Sequence, residues 1–154
     1  MVKYKFFWKS YSPFSNWYLC KFTYNGKEFS SAEQAMMYEK AMYFRDVETS
    51  EKILKEHDPK KVKSLGREVQ NFNYDKWSDV KFNIVKDILK SKFEQNSSLK
   101  EYLLKHKGWE LVEASPYDRI WGIGYEKSEA LENFENWGEN LLGKILTELS
   151  NELD

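Results

Sequence analysis

Cysteine occurs once, at Cys20, and histidine only twice, at His57 and His106. A single thiol makes no intramolecular disulfide, and this set is too small for a Cys- or His-rich site, so the sequence predicts no metal. Three prolines and seven glycines are scattered without a linker-like cluster, and no repeat or low-complexity stretch interrupts the 154 residues. Length alone then predicts one domain over residues 1–154. No apolar run approaches the roughly 18–20 residues that cross a bilayer, and the opening Met1-Val-Lys-Tyr-Lys5 carries no signal-peptide pattern. No membrane partner and a cytoplasmic location are therefore expected. Net charge is nearly absent: 24 basic against 25 acidic residues leave −1. A dedicated duplex-binding protein would carry a cationic excess, so only a local basic patch is compatible with nucleic acid. Arginine is scarce as well, at Arg45, Arg67 and Arg119 only.

Aromatic residues are what the chain has in plenty: six Trp, ten Tyr and ten Phe make 17% of it. Mean hydropathy is −0.76, so rings must supply much of the core. A domain this size buries roughly 68–70% of the surface its unfolded chain exposes, enough for a core and a concave site together. Most rings are accounted for by that core; others are available to stack on bases and sugars.

The coarse pattern is helical. Residues 3–8 read as a strand, followed by a polar aromatic loop over 10–16. Residues 17–24 alternate and meet Asn25-Gly26, a type I′ hairpin signal, before the chain returns through Lys27-Glu-Phe29. Ser31-Ala-Glu-Gln34 is a capping box opening a helix to about Phe44. Short helices follow over 48–56 and from Asp58-Pro59 to Gly66, which is expected to end the second. Trp77, Val80, Ile84, Val85, Ile88, Leu89 and Phe93 mark one stripe of a helix over 75–95. Ser98-Leu-Lys-Glu101 opens another helix, stopped near Gly108. Residues 109–113 read as a strand, 114–124 as a loop and 139–153 as an amphipathic helix. The expected fold is α+β, a mainly helical single domain with a small antiparallel sheet.

Three features go beyond structure. Glu33, Met37 and Lys40 stand at i, i+4 and i+7, so one helix face holds a carboxylate, a soft apolar surface and an amine. Glu33 also lies in the first turn, where the helix dipole favours a negative charge. The stretch Glu113-Ala-Ser-Pro-Tyr-Asp-Arg-Ile-Trp-Gly-Ile-Gly124 gathers two carboxylates, an arginine, a tryptophan and two glycines. Asp118 there is a candidate acid, base or electrostatic stabiliser, and Trp121 offers a stacking face. Gly122 and Gly124 permit positive φ or close backbone approach to a ligand. Arg67 and Arg119 are candidate phosphate contacts, since Arg recognises phosphate bidentately. Gly122-Ile-Gly124 lacks the third glycine and the context of a dinucleotide fingerprint, and the lysines at 60, 61 and 63 are flanked by acid.

Taken in order, these segments resemble the NADAR family (NAD- and ADP-ribose-linked), which includes the YbiA-like N-glycosidases. The matching pieces are Phe7-Trp8, Ser12-Pro-Phe-Ser-Asn16, Phe29-Ser-Ser-Ala-Glu-Gln34, Met37-Tyr-Glu-Lys-Ala41 and Leu65-Gly-Arg67. Further on come Lys92-Phe-Glu-Gln-Asn96, Leu111-Val-Glu-Ala-Ser-Pro-Tyr-Asp118, Ile120-Trp-Gly-Ile-Gly124 and Trp137-Gly-Glu-Asn-Leu-Leu-Gly143. The resemblance implies a YbiA-like fold and hydrolysis of a ribosyl N-glycosidic bond without a cofactor. Two substrate classes come with it: ADP-ribose attached to guanine in DNA or RNA, and phosphoribosylamino-pyrimidine intermediates of riboflavin synthesis. The first would make an ADP-ribosyltransferase toxin the functional counterpart. The resemblance implies Glu33 and Asp118 as catalytic carboxylates and Lys40 as a further catalytic group, holding phosphate, donating a proton or forming a Schiff base. Trp8, Phe14 and Trp121 are candidate rings for base or ribose. Asn16, Arg67, Gly122, Gly124 and Asn140 complete the candidate substrate contacts. One departure is visible: many relatives have Met and Arg in the last helix where this chain has Thr147 and Ser150. A non-catalytic ADP-ribose- or NAD-binding module and a plain interaction protein are the rival readings.

Overall fold

The computed structural model describes residues 1–154. In chain order the elements are β1 (Tyr4–Phe7), β2 (Phe22–Tyr24), β3 (Lys27–Phe29), α1 (Ala32–Tyr43), α2 (Val47–Lys55), α3 (Pro59–Arg67) and α4 (Tyr74–Glu94). They continue as α5 (Ser97–Leu104), β4 (Glu110–Glu113), α6 (Lys127–Ala130), a 3₁₀ segment (Leu131–Asn136) and α7 (Leu141–Glu152). The fold is mainly helical α+β, and no helix is long and apolar enough to cross a membrane. The chain forms two compact units, one from Met1–Ser15 with Ser97–Asp154 and one from Asn16–Asn96.

In the unit of residues 16–96, β2 and β3 pair antiparallel with Phe22 opposite Phe29. Asn25 and Gly26 both take positive φ, as the expected turn requires. The strand is shorter than the alternating pattern over 17–24 suggests. Its outer edge is closed by a side chain: Thr23 N donates to Gln95 Oε1 and Gln95 Nε2 donates to Thr23 O, both at 2.7 Å. One amide thus does for the edge what another strand would do.

Helix α1 starts as its sequence dictates. Ser31 Oγ accepts from Gln34 N, and Gln34 Oε1 accepts from Ser30 N. The fully buried Gln34 amide also donates to the carbonyls of Ile53, Leu54 and Glu56, fixing the end of α2 against α1. Asp46 caps α2 and accepts from Gln70 N; those backbone donors hold its carboxyl below the usual Asp range. Asp58 and Pro59 open α3 as expected. Gly66 does not end that helix. It lies inside the last turn, packed closely on α1: a Cβ there would overlap the Met37 thioether, which would have to move aside. Along α4, Trp77, Val85, Ile88, Leu89 and Phe93 are buried, with Val80 and Ile84 half-buried beside them. Lys92 is fully buried on the same helix; burial pushes its pKa down to about 8, and Cys20 pulls it back up.

In the other unit, β1 and β4 pair in parallel, Tyr4 opposite Glu110 and Phe7 opposite Glu113. The antiparallel sheet expected from the sequence is therefore the hairpin alone. No tight turn joins β1 to β4; residues 16–96 intervene, which gives the long crossover that parallel pairing needs. Helix α5 begins at Ser97, one residue ahead of the expected cap, and Gly108 at φ +89° turns the chain into β4. Leu142, Ile145, Leu146 and Leu149 of α7 are buried, and α7 packs on β4. Thr147 ties the two together: its Oγ1 accepts from Leu111 N and donates to Gly143 O. The Trp137 ring meets Tyr4, Phe6 and Phe134 and donates Nε1–H to Ala130 O. The α6 and 3₁₀ turns carry no periodic signal in sequence, and Asn140, at φ +51°, delays α7 until Leu141.

Candidate active site

The unit of residues 16–96 brings Asn16, Glu33, Lys40 and Arg67 together with α1 as their frame. Glu33 is only 5% exposed, although a carboxylate on an amphipathic helix normally reaches water. Its backbone N donates to Asn16 O at 2.8 Å, which fixes the start of the helix, and its Oε1 accepts from Trp17 Nε1 at 3.2 Å. The first turn of the helix places backbone dipoles behind this carboxylate. Asn16 is itself buried, and its Oδ1 meets no donor. A buried amide oxygen without a donor is rare enough to mark a place where a ligand hydroxyl would fit.

Lys40 lies two turns further along α1. Its Nζ donates to Gly66 O at 2.8 Å and stands 4.5 Å from the centre of the Phe72 ring. Burial lowers its pKa from the ordinary lysine value; Glu33 opposes that fall and Arg67 adds to it. An amine of this kind loses its proton more readily than one in water. Arg67 is exposed at the end of α3, near enough for its charge to act on Lys40.

Three contributors have no sequence signal. Trp17 is one ring among many until its indole is seen on Glu33. Phe72 is 42% exposed on the α3–α4 connection, following Asn71 at φ +63°. Only packing reveals that it covers Lys40. Gly66 serves the site through its carbonyl, which leaves no mark in sequence at all.

In the other unit the loop over 114–124 is held by the Asp118 carboxylate from within and by residues 138–142 from outside, whose backbone N–H groups donate to the carbonyls of Arg119, Ile120, Trp121, Gly122 and Ile123. Asp118 Oδ1 accepts from Ile120 N at 2.9 Å and from Trp121 N at 2.8 Å; its Oδ2 has no partner. A Cβ at Gly122 would lie 2.8 Å from Glu113 O and 3.0 Å from Asp118 O, so this glycine serves close approach of the chain to itself. Gly124 takes φ +82°, the left-handed conformation that glycine tolerates. Arg119 is exposed and donates one hydrogen bond, from Nη2 to Asn136 O at the end of the 3₁₀ segment. Asn140 is likewise engaged: Oδ1 accepts from Glu113 N and Nδ2 donates to Leu111 O. Its amide binds β4 to the start of α7.

The three candidate rings divide. Trp8 is half-buried beside Tyr117, with ring centres 6.0 Å apart, and Trp121 is half-buried. Phe14 has no exposed surface; its ring meets Phe7, Tyr102 and His106, so it is a core residue with no face left for a base. No group of three or more His, Cys, Asp or Glu side chains is placed to hold a metal ion.

Comparison with known proteins agrees with this arrangement of segments. The chain is 44% identical over 146 residues to N-glycosidase R617 of Acanthamoeba polyphaga mimivirus, covering 90% of this chain and 86% of that one. It is 33% identical over 139 residues to a protein of Vibrio vulnificus named for riboflavin biosynthesis, but spans only 35% of it. The NMR structure of the Escherichia coli protein YbiA superposes with a TM-score of 0.81 at 27% identity, covering 99% of this chain and 86% of that one. The NADAR domain pattern matches residues 6–154, nearly the whole chain, and on that match and the viral relative this chain belongs to the NADAR family.

Proposed function

We propose that this protein is an N-glycosidase that hydrolyses the bond between a ribose carbon and a nitrogen base, and that residues 1–154 work as one functional domain. The observation that carries the reading is Lys40: a half-buried amine held by the Gly66 carbonyl on the same helix as the buried Glu33 carboxylate. The relatives named N-glycosidase support the reaction class.

The chemistry follows from an amine that sheds its proton readily. Where the sugar sits on an amino nitrogen, its ring can open: the C1–O4 bond breaks, O4 takes a proton, and C1 and nitrogen become a protonated imine. Neutral Lys40 Nζ adds to C1, the base departs as its neutral amine, and C1 stays on Lys40 as a Schiff base. Water then replaces Nζ at C1, releasing the sugar and regenerating the amine. One water is consumed and no oxidant is needed. Glu33 gives and takes the proton at O4 and at the leaving nitrogen, and the free Asn16 Oδ1 accepts a ribose hydroxyl. Arg67 meets phosphate. Asp118, through its unengaged Oδ2, is the second carboxylate, a role that rests on the family resemblance.

The substrate we place first is ADP-ribose carried on guanine in nucleic acid, whose release reverses ADP-ribosylation. A second reading, cleavage of phosphoribosylamino-pyrimidines, is favoured by the riboflavin name of the Vibrio relative and by a net charge close to zero. The test offers both substrates in parallel and follows products by mass, with and without borohydride. Release of ADP-ribose, with a borohydride-stable adduct on wild type but not on Lys40→Met, supports the first reading. Cleavage of the small intermediate alone supports the second. Silence on both, with ADP-ribose still bound, would make the protein a binding module. Turnover without any trapped adduct would turn Lys40 into a proton donor or phosphate contact.

A further inference from the structure

A cleft of about 840 Å³ opens in the unit of residues 1–15 and 97–154, and the chemistry proposed above makes no use of it. Its lining combines rings and cations: Trp8 and Tyr11 with Lys5, Lys9 and Lys127, against one carboxylate, Glu126. In a chain of net charge −1 this is a local cationic excess. The rings are unusually bare. Tyr11 is 77% exposed, and Tyr117, whose ring centre lies 6.0 Å from that of Trp8, is 87% exposed. Neither belongs to a core, and a tyrosine with most of its surface in water has no packing reason to be there. Lys9 stands at φ +73°, a left-handed conformation that costs a non-glycine residue, and its Nζ lies 5.0 Å from the Trp8 ring centre.

We propose that this cleft docks a stretch of single-stranded nucleic acid, with bases stacking on Tyr11, Trp8 and Tyr117 and phosphates meeting Lys5, Lys9 and Lys127. Each component has its counterpart in such a strand: π-faces for the rings and a regular anionic backbone for the amines. An acidic peptide would answer the lysines and leave the rings idle. The proposal rests on the nucleic-acid reading of the substrate, but its test does not, because docking is read on an unmodified strand without turnover.

The measurement is fluorescence anisotropy of labelled dT12 with the full chain over a series of salt concentrations. Binding is expected to weaken with salt at a log–log slope of about −2, as three lysine–phosphate contacts on a single strand require. Tyr11→Ala and Tyr117→Ala should each weaken binding about five-fold or more. The pair Lys9→Ala with Lys127→Ala should flatten the slope to about −0.7, reading the same surface independently of the rings. Thermal melts at the wild-type temperature would show the variants folded. Three outcomes overturn the proposal: no binding at low salt, binding indifferent to both sets of substitutions, or displacement of dT12 by stoichiometric ADP-ribose. The last would assign the cleft to a small nucleotide.

Discussion

The α1 face and the loop over 113–124 carry the same kinds of residue, and use them in opposite ways. In the loop, Asp118 Oδ1 satisfies two backbone N–H groups, Arg119 ties back to Asn136, and Gly122 lets the chain touch its own carbonyls. Together with the 138–142 backbone, which pairs the carbonyls of 119–123, these groups settle a stretch of chain that has neither helix nor ladder. On α1 the backbone is already satisfied, so the side chains owe it nothing beyond the cap. Glu33 and Lys40 are nevertheless withdrawn from water, at a desolvation cost that no folding requirement explains. Polar residues in an irregular segment are ambiguous; a buried carboxylate and a half-buried amine on one face of a regular helix are the sharper sign of chemistry.

Glu33→Gln should break that comparison hardest. The substitution keeps shape and an acceptor oxygen for Trp17 while removing the charge and the exchangeable proton. Turnover is expected to fall about 10²–10⁴-fold, the range of a lost general acid or base. The melting temperature should hold or rise, since a buried charge is gone. Steady-state kinetics beside a thermal melt separates the two; unchanged turnover would return Glu33 to a structural role. Asp118→Asn is its counterpart in the loop. Asn can still accept from Ile120 N and Trp121 N, so stability should stay within about 0.5 kcal/mol. Turnover should drop as Oδ2 loses its charge. Full activity would leave Asp118 a turn-former only.

Asn140→Ala tests the structural side of the loop. It removes the acceptor of Glu113 N and the donor to Leu111 O and puts a Cβ-bearing residue without a local hydrogen bond at φ +51°. With about 1–3 kcal/mol for each buried group left unpaired, a loss of roughly 2–4 kcal/mol is expected in urea denaturation. A loss below about 0.5 kcal/mol would free Asn140 for the ligand-contact role that the resemblance implies.

Local signals in the sequence predicted local structure well. Asn25-Gly26, Ser31-to-Gln34 and Asp58-Pro59 each act within a few residues, and each does what its chemistry dictates. What was not legible depends on partners distant in sequence. β1 and β4 show strand composition, but their parallel register depends on residues 16–96 lying between them. Gly66 looks like a helix stop until the Met37 thioether is found where its Cβ would be. Phe14 reads as a ring beside a polar loop and turns out to be core, because Phe7, Tyr102 and His106 close around it. At the site, the Glu33–Lys40 spacing was visible because a helix fixes it. The Trp17 indole, the Gly66 carbonyl and the Phe72 ring were invisible because only tertiary packing places them.

The smallest expected effect concerns how α1 sets its amine apart. Phe72 covers Lys40 from a connection that is itself partly exposed, so Phe72→Ala should admit water without collapsing α1. Desolvation is the largest influence on Lys40 and lowers its pKa; removing the cover relaxes that pKa upward toward the ordinary lysine value. The ring's quadrupole works the other way, favouring the ammonium by about 0.5–1 kcal/mol where exposed, which trims the shift without reversing it. In the Schiff-base route the neutral amine is the reactive form. Activity therefore rises with pH through the Lys40 pKa, and in Phe72→Ala the rising limb should move to higher pH. At a fixed pH below that limb turnover falls, whereas well above it the variant and wild type converge. Substitution by Tyr, which keeps the cover, should restore the wild-type profile. A limb that stays in place, or moves to lower pH, would show that Phe72 does not act by desolvating Lys40, and the contrast between helix face and loop would then rest on Glu33 alone.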